Sequence, residues 1–287
     1  MMLDQSGLPL QSDLWSHLTE IARPRDPYLA PEGHWYVQQY IRQQLTQWGQ
    51  VETHEFVIQA RTHTNLILNL PAQVGRETQP PILIAAHYDA VPGTPGADDN
   101  ATGVAVLLEL ARAFAAEPAR YPVRLVAVDL EEYGMLGSDR YAADLYAQKQ
   151  SLRLMLSLEM LGYCDQMPGS QRYPAGLQWF YPDRGNFIGL IGNIPTLPDL
   201  IHLSRWMRTA GVPAEWLPAG MKGQLVQATR LSDHAPFWDR GYRAIMVTDT
   251  AFLRNPHYHQ PSDRLETLDL TFLTGVCRGL IQGLQFL

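Results

Sequence analysis

Lysine is nearly missing from this chain: Lys149 and Lys222 are the only two in 287 residues. Arginine supplies the rest of the 22 basic side chains, against 29 acidic ones, for a net charge of −7. The arginines are scattered, so there is no basic patch to hold a phosphate backbone, and a nucleic-acid partner is not expected. Nothing in the sequence accounts for the scarcity of lysine. Cysteine is just as rare. Cys164 and Cys277 make no disulfide framework, and a reducing compartment suits them. No apolar run approaches membrane-spanning length, so no membrane role is expected. The opening MMLDQSGLPLQSDLW has neither a basic n-region nor an apolar h-region, so no secretory leader is read there and a cytoplasmic location is expected. Internal repeats, linkers and low-complexity tracts are also missing.

What remains is a chain that is 46% hydrophobic and long enough to bury a large core. Helical spacing marks residues 11–23, with Leu14, Leu18 and Ile21 on one face, and residues 32–49, opened by Pro31 and Glu32. Residues 51–59 and 65–70 read as two strands, neighbouring and antiparallel. Strands follow at 82–86, 123–130, 152–158, 186–191 and 243–248. Helices follow at 100–116, 138–148, 197–210 and 268–286. VRLVAVDL, at 123–130, is the kind of continuous run buried on both faces of a sheet. Strand and helix alternate, which predicts one α/β domain over 1–287, three-layered, with a mostly parallel central sheet and helices on both faces. The helices within 1–50 are expected to pack onto it.

The stretch ILIAAHYDAVPGTPGADDNATG, residues 82–103, organises the rest. An apolar strand stops at His87 and Asp89, a Pro/Gly-rich turn follows, and Asp98-Asp99-Asn100 leads into a helix. Ligands of open α/β sheets bind at the carboxyl ends of strands. His87, Asp89, Asp99, Glu131, Glu132, Glu159, Asp233 and His259 all fall where an apolar segment stops. Singly, each has a plain structural reading. A histidine after a strand can be hydrogen-bonded scaffolding, Asp98-Asp99-Asn100 can cap a helix, and Glu131-Glu132 can be a solvated pair. Together they would crowd like charges on one rim. Divalent cations resolve that conflict, since carboxylate oxygens and neutral imidazoles are ligands for zinc or manganese.

The pieces AHYDA, GADDNATG, DLEEYGMLGS, SLEMLGY and PHYHQPSD, in this order, resemble the di-zinc aminopeptidases of family M28. The resemblance spans residues 82–269. It implies metal ligands at His87, Asp99, Glu132, Glu159 and His259, with Asp99 bridging two zinc ions that manganese or cobalt could replace. It implies Glu131 as the general base and Asp89 as the carboxylate that orients His87, a partner metal-bound histidines usually have. Tyr258 and Asp233 are further candidates for substrate binding or ligand support. His257 is read as a neighbour of the ligand His259. The expected partner is a short peptide or other aminoacyl compound.

One position departs from the family. Glu159 stands where its well-known aminopeptidases usually have aspartate. Glutaminyl cyclases resemble the same fold, also carry an HYD motif and use a single zinc. In them the acid matching Glu159 shares a hydrogen-bond network with the one matching Asp233. The His87–Asp89 pair and GADDNATG favour the peptidase. A third possibility is a metal-free binding scaffold, since fold does not fix function, but every ligand position is retained. For specificity, Tyr163, Tyr173, Trp179, Phe180 and Tyr181 in the loop 163–185, and residues 217–231 with Arg230, are candidate pocket walls. No insertion is long enough for a separate lid, so an open site is expected.

Overall fold

The computed structural model describes residues 8–287; the first seven residues, part of the stretch read for a leader, lie outside the described residues. Two helices open the described chain, α1 (Leu8–Ile21) and α2 (Pro31–Thr46). Strands β1 (Val51–Ile58), β2 (Arg61–Leu70) and β3 (Ile82–His87) follow, then α3 (Gly103–Ala116), β4 (Val123–Val128), α4 (Leu136–Ala147) and β5 (Leu154–Glu159). The last part holds β6 (Ile188–Asn193), α5 (Leu197–Thr209), β7 (Ala214–Ala219), α6 (Ala235–Asp239), β8 (Ala244–Thr248) and α7 (Leu270–Gln285).

All eight strands form one mixed sheet in the order β1-β2-β4-β3-β5-β8-β6-β7. β4, β3, β5 and β8 run parallel and form its centre. β1 and β2 pair antiparallel on one side, as the sequence predicted, and β6 meets β8 antiparallel on the other. Because strand side chains alternate faces, β3 divides cleanly. Ile82, Ile84 and Ala86 join a cluster with α1, α2, α3, α5 and α7. Leu83 and Ala85 join a smaller one with α4 and α6. The result is the predicted three-layer α/β/α domain. The N-terminal helices contribute Leu14, Leu18, Ile21, Val37, Ile41 and Leu45 to the larger cluster. Among the described residues no helix is long and apolar enough to cross a membrane.

Two elements escaped the sequence reading. β7 (AEWLPA) carries Pro218, which argues against a central strand. It is an edge strand pairing only with β6, where proline is tolerated. α6 has five residues, too few for a helical period to show. The strand read at 123–130 ends early, at Val128, because Leu130 turns left-handed with φ 57°. The helix read from residue 100 begins at Gly103, after a turn, Ala97–Thr102, that carries Asp99.

Candidate active site

The parallel strands β3, β4 and β5 end on one rim, and each delivers chemistry in or just past its last rung. His87 closes β3, Glu131 and Glu132 follow β4 by three and four residues, and Glu159 closes β5. His259 comes from the loop before α7. Left-handed non-glycine backbone marks three of these arrivals: Leu130 at φ 57°, Met160 at 51° and His259 at 57°. Such conformations cost roughly 1–2 kcal/mol per residue and cluster where side chains must be aimed.

Asp99 lies at the centre. One of its oxygens is 3.3 Å from His87 Nε2 and the other 3.2 Å from His259 Nε2. His87 Nε2 is in turn 3.6 Å from Glu159 Oε1, and His259 Nε2 is 3.4 Å from Glu132 Oε2. The five predicted ligands thus form two half-sites, His87 with Glu159 and His259 with Glu132, that share Asp99. One donor atom each of His87, Asp99 and Glu132 falls within a 4.8 Å group. Both ring nitrogens of His87, Asp99 Oδ1 and Glu132 Oε1 are buried without a hydrogen-bond partner. Burial pushes the Glu132 carboxyl well above the usual carboxylate range, and Asp99 beside it adds to the rise. Buried, unpartnered nitrogen and oxygen donors that repel one another fit divalent cations, and with no thiolate present they fit zinc or a similar ion.

Asp89 is fully buried, with Oδ1 3.4 Å from His87 Nδ1. It has a task that the sequence did not reveal. Its two oxygens accept the backbone N–H groups of Glu131 at 3.1 Å and Glu132 at 3.2 Å. One carboxylate therefore ties the His87 strand to the Glu131–Glu132 loop.

The acidic doublet splits. Asp98 turns away to accept from Gly162 N–H and Asn255 Nδ2, while Asp263 accepts the N–H groups of Asp98 and Asp99. Asn100 does the capping, its Oδ1 accepting from Gly103 N–H at 3.1 Å. A Cβ at Gly103 would lie 2.3 Å from that oxygen, so only glycine fits. Arg25 was missed altogether. It is fully buried and donates to the carbonyls of Tyr88, Pro95, Gly96 and Asp99. It staples the end of β3 to the turn bearing Asp99, and one of the two arginines in ARPRDP carries no pattern that would announce this.

Glu159 is held by Ser232, whose hydroxyl donates to Oε2 at 2.7 Å and meets the Ser157 hydroxyl at 2.7 Å. Asp233 is fully buried with neither oxygen hydrogen-bonded, and burial pushes its carboxyl up to about 7. The Tyr258 ring stacks on His259 with centroids 3.7 Å apart. His257 lies off the cluster, with Nδ1 2.9 Å from the Ser262 hydroxyl.

Beside Glu159 opens a cavity of about 60 Å³ with apolar walls that include Met246, Phe252, Leu253 and Tyr258. A second apolar cavity, about 70 Å³, shares Ile191, Ala228, Thr250 and Leu253 with it. Of the aromatic loop, Tyr173 and Tyr181 line this second cavity, while Trp179 and Phe180 are about four-fifths exposed at 81% and 80%. The Tyr163 ring lies edge-on to His257. From residues 217–231, Leu217, Val226, Ala228, Thr229 and Leu231 do form walls. Arg230 instead pairs with Asp239 at 2.7 Å, away from the cavities.

Comparison with known proteins places the chain in a family. The model of peptidase family M28 matches residues 65–181. The chain is 38% identical over 226 residues to the uncharacterized Escherichia coli K12 protein YfbL, covering 74% of this chain and 69% of that one. It is 40% identical over 83 residues to the Bacillus subtilis 168 aminopeptidase YwaD, covering 28% of this chain but only 18% of that one. Among solved structures it resembles the LapA aminopeptidase of Legionella pneumophila, with a TM-score of 0.71, 19% identity, and coverage of 96% and 73%. It also resembles a Bacteroides thetaiotaomicron glutaminyl cyclase bound to N-acetylhistamine, with a TM-score of 0.68, 15% identity and 99% of both chains. At these identities the two structural likenesses show the fold and do not choose between the reactions.

Proposed function

We propose, from the premise that the chain belongs to peptidase family M28, that it is a two-metal aminopeptidase acting on short peptides. The observation that carries this reading is the pair of half-sites sharing Asp99. His87, Glu159 and Asp99 would hold one zinc ion, and His259, Glu132 and Asp99 the other. When bound, such ions supply Lewis acidity, lowering the pKa of water and polarising the scissile carbonyl.

The chain's own residues do the rest. Glu131 takes a proton from the attacking water and returns it to the leaving amine. Asp89 holds the backbone on which both Glu131 and Glu132 sit. The apolar cavity, which Glu159 helps to line, would take the side chain of the first residue, with the Glu159 carboxylate close to the free α-ammonium.

A free amine should therefore be required. Peptides or aminoacyl-anilides with an open N-terminus should be hydrolysed, and the same compounds N-acetylated should not, as release assays on matched pairs would show. A second reading, a single-zinc glutaminyl cyclase, draws on the glutamate at 159. Efficient cyclisation of N-terminal glutamine without peptide hydrolysis would establish it instead.

A further inference from the structure

We infer that Asp129, held by His34 and His63, is a positioning residue for the loop that carries Glu131 and Glu132. This rests on the reading of Glu131 as proton carrier. Asp129 is the first residue past β4 and is fully buried. Its carboxylate accepts three N–H groups: Nε2–H of His34 at 2.8 Å, Nδ1–H of His63 at 3.1 Å and the backbone N–H of Leu130 at 2.9 Å. Its own N–H donates to Asn65 Oδ1 at 3.0 Å. An ionised carboxylate can only accept, so both imidazoles must present N–H to it. His63 Nε2, 3.3 Å from the Tyr28 hydroxyl, is then free to accept from that phenol. Burial would raise the Asp129 carboxyl, but the hydrogen bonds from His34 and His63 outweigh it and hold it down at about 2. The two rings come from α2 and β2, neither of which supplies a residue of the site itself.

The loop needs this grip because it pivots at Leu130. The backbone there is left-handed, with φ 57°, immediately before Glu131 and Glu132. Asp89 holds the next two N–H groups from the site side. Asp129 holds the pivot's own N–H, and its carboxylate is in turn held by the two rings. Beyond the glutamates, Tyr133 is tied to the same N-terminal segment. Its hydroxyl donates to Asp26 at 2.7 Å and its ring meets that of Tyr28 at 5.0 Å. Residues 26–34 therefore brace the catalytic loop at both ends.

His34 tests this, since its side chain is 12% exposed and sits in the first turn of α2. His34→Leu, His34→Gln and Glu131→Gln would be compared with the parent in the metal-loaded protein. Readouts are kcat and KM on a free-amine peptide, bound metal, and hydrogen exchange across 129–135. His34→Leu should lower kcat on the order of tenfold with KM within about twofold, as for outer partners of a reacting group. Bound metal should match the parent, and the amides of Leu130 to Glu132 should exchange faster. His34→Gln, whose amide N–H reaches the same carboxylate, should recover most of the rate. Should His34→Leu not fold, His34→Asn, too short to reach Asp129, takes its place with the same expectations. Parental kcat in the Leu variant, equal losses in Leu and Gln, or a rate loss matched by metal loss would each overturn the inference. Failure of the underlying reading shows separately, as retained activity in Glu131→Gln.

Discussion

Glu131→Gln is expected to lower turnover by about 10²–10⁴-fold, the usual contribution of a general base, while leaving the metals in place. The substitution keeps shape and volume. The loop should hold its course, because the backbone N–H groups of residues 131 and 132 would still bond to Asp89. What goes is the only feature the role requires, a carboxylate able to take a proton. That carboxyl is suited to the task. Burial pushes it well above the usual carboxylate range; the pull of His87 opposes this, and the charges of Glu159, Asp233 and Asp89 reinforce it. A base with a raised pKa accepts a proton more readily and works best when that pKa lies near the working pH. Steady-state kinetics with metal analysis of the same sample would check this. Normal turnover, or metal lost in proportion to activity, would mean that the roles of Glu131 and Glu132 are assigned wrongly.

The second large effect is expected at Glu159. Its Oε1 faces His87 Nε2 at 3.6 Å, and its Oε2 is already committed to Ser232. The remaining oxygen is thus placed for the half-site that holds His87. Glu159→Gln removes the charge and should weaken that metal alone, by at least the 10–100-fold typical when even an outer partner of a ligand is lost. The half-site of His259 and Glu132 should stay filled, since neither residue touches Glu159. Activity should then depend on added zinc, manganese or cobalt. Glu159→Asp, although it restores the residue commoner in the family, should also impair the enzyme. Zinc–oxygen distances are confined to about 2.0–2.2 Å, and Ser232 and Ser157 are set for the longer side chain. Titration of metal-stripped variants would decide the matter; a Gln variant binding both metals as tightly as the parent would show that Glu159 is not a ligand.

The sequence disclosed the centre of this molecule better than its edges. β3, β4 and β5 are largely apolar runs with polar residues at or just past their ends, and buried parallel strands leave that trace. The candidate site residues stood out for a related reason: His87, Glu131, Glu132 and Glu159 gather where such runs stop, and the resemblance to family M28 gave them their proposed roles. β7 and α6 were not legible, since Pro218 masks the first and five residues cannot display a period. The parts of the site that escaped notice are those acting through backbone. Arg25 binds carbonyls, Asp89 binds two N–H groups and Asp129 binds one, and backbone groups are the same at every position, so no residue pattern records the partnership. His34 and His63 are 95 and 66 residues from Asp129 along the chain. Only the antiparallel excursion through β2 and the packing of α2 bring them together. The cavity walls were half legible: Tyr173 and Tyr181 line the second cavity, but nothing in YPAGLQWFYP distinguishes them from the exposed Trp179 and Phe180.

Asp99 is proposed to be shared between two cation sites in a working hydrolase. Stepwise addition of zinc to the metal-stripped protein tests it most directly, with bound metal and hydrolysis of a free-amine dipeptide followed in the same titration. Two equivalents should bind per chain, and full activity should appear only as the second site fills. Saturation at one equivalent, with no peptide hydrolysis and rapid cyclisation of N-terminal glutamine, would contradict it.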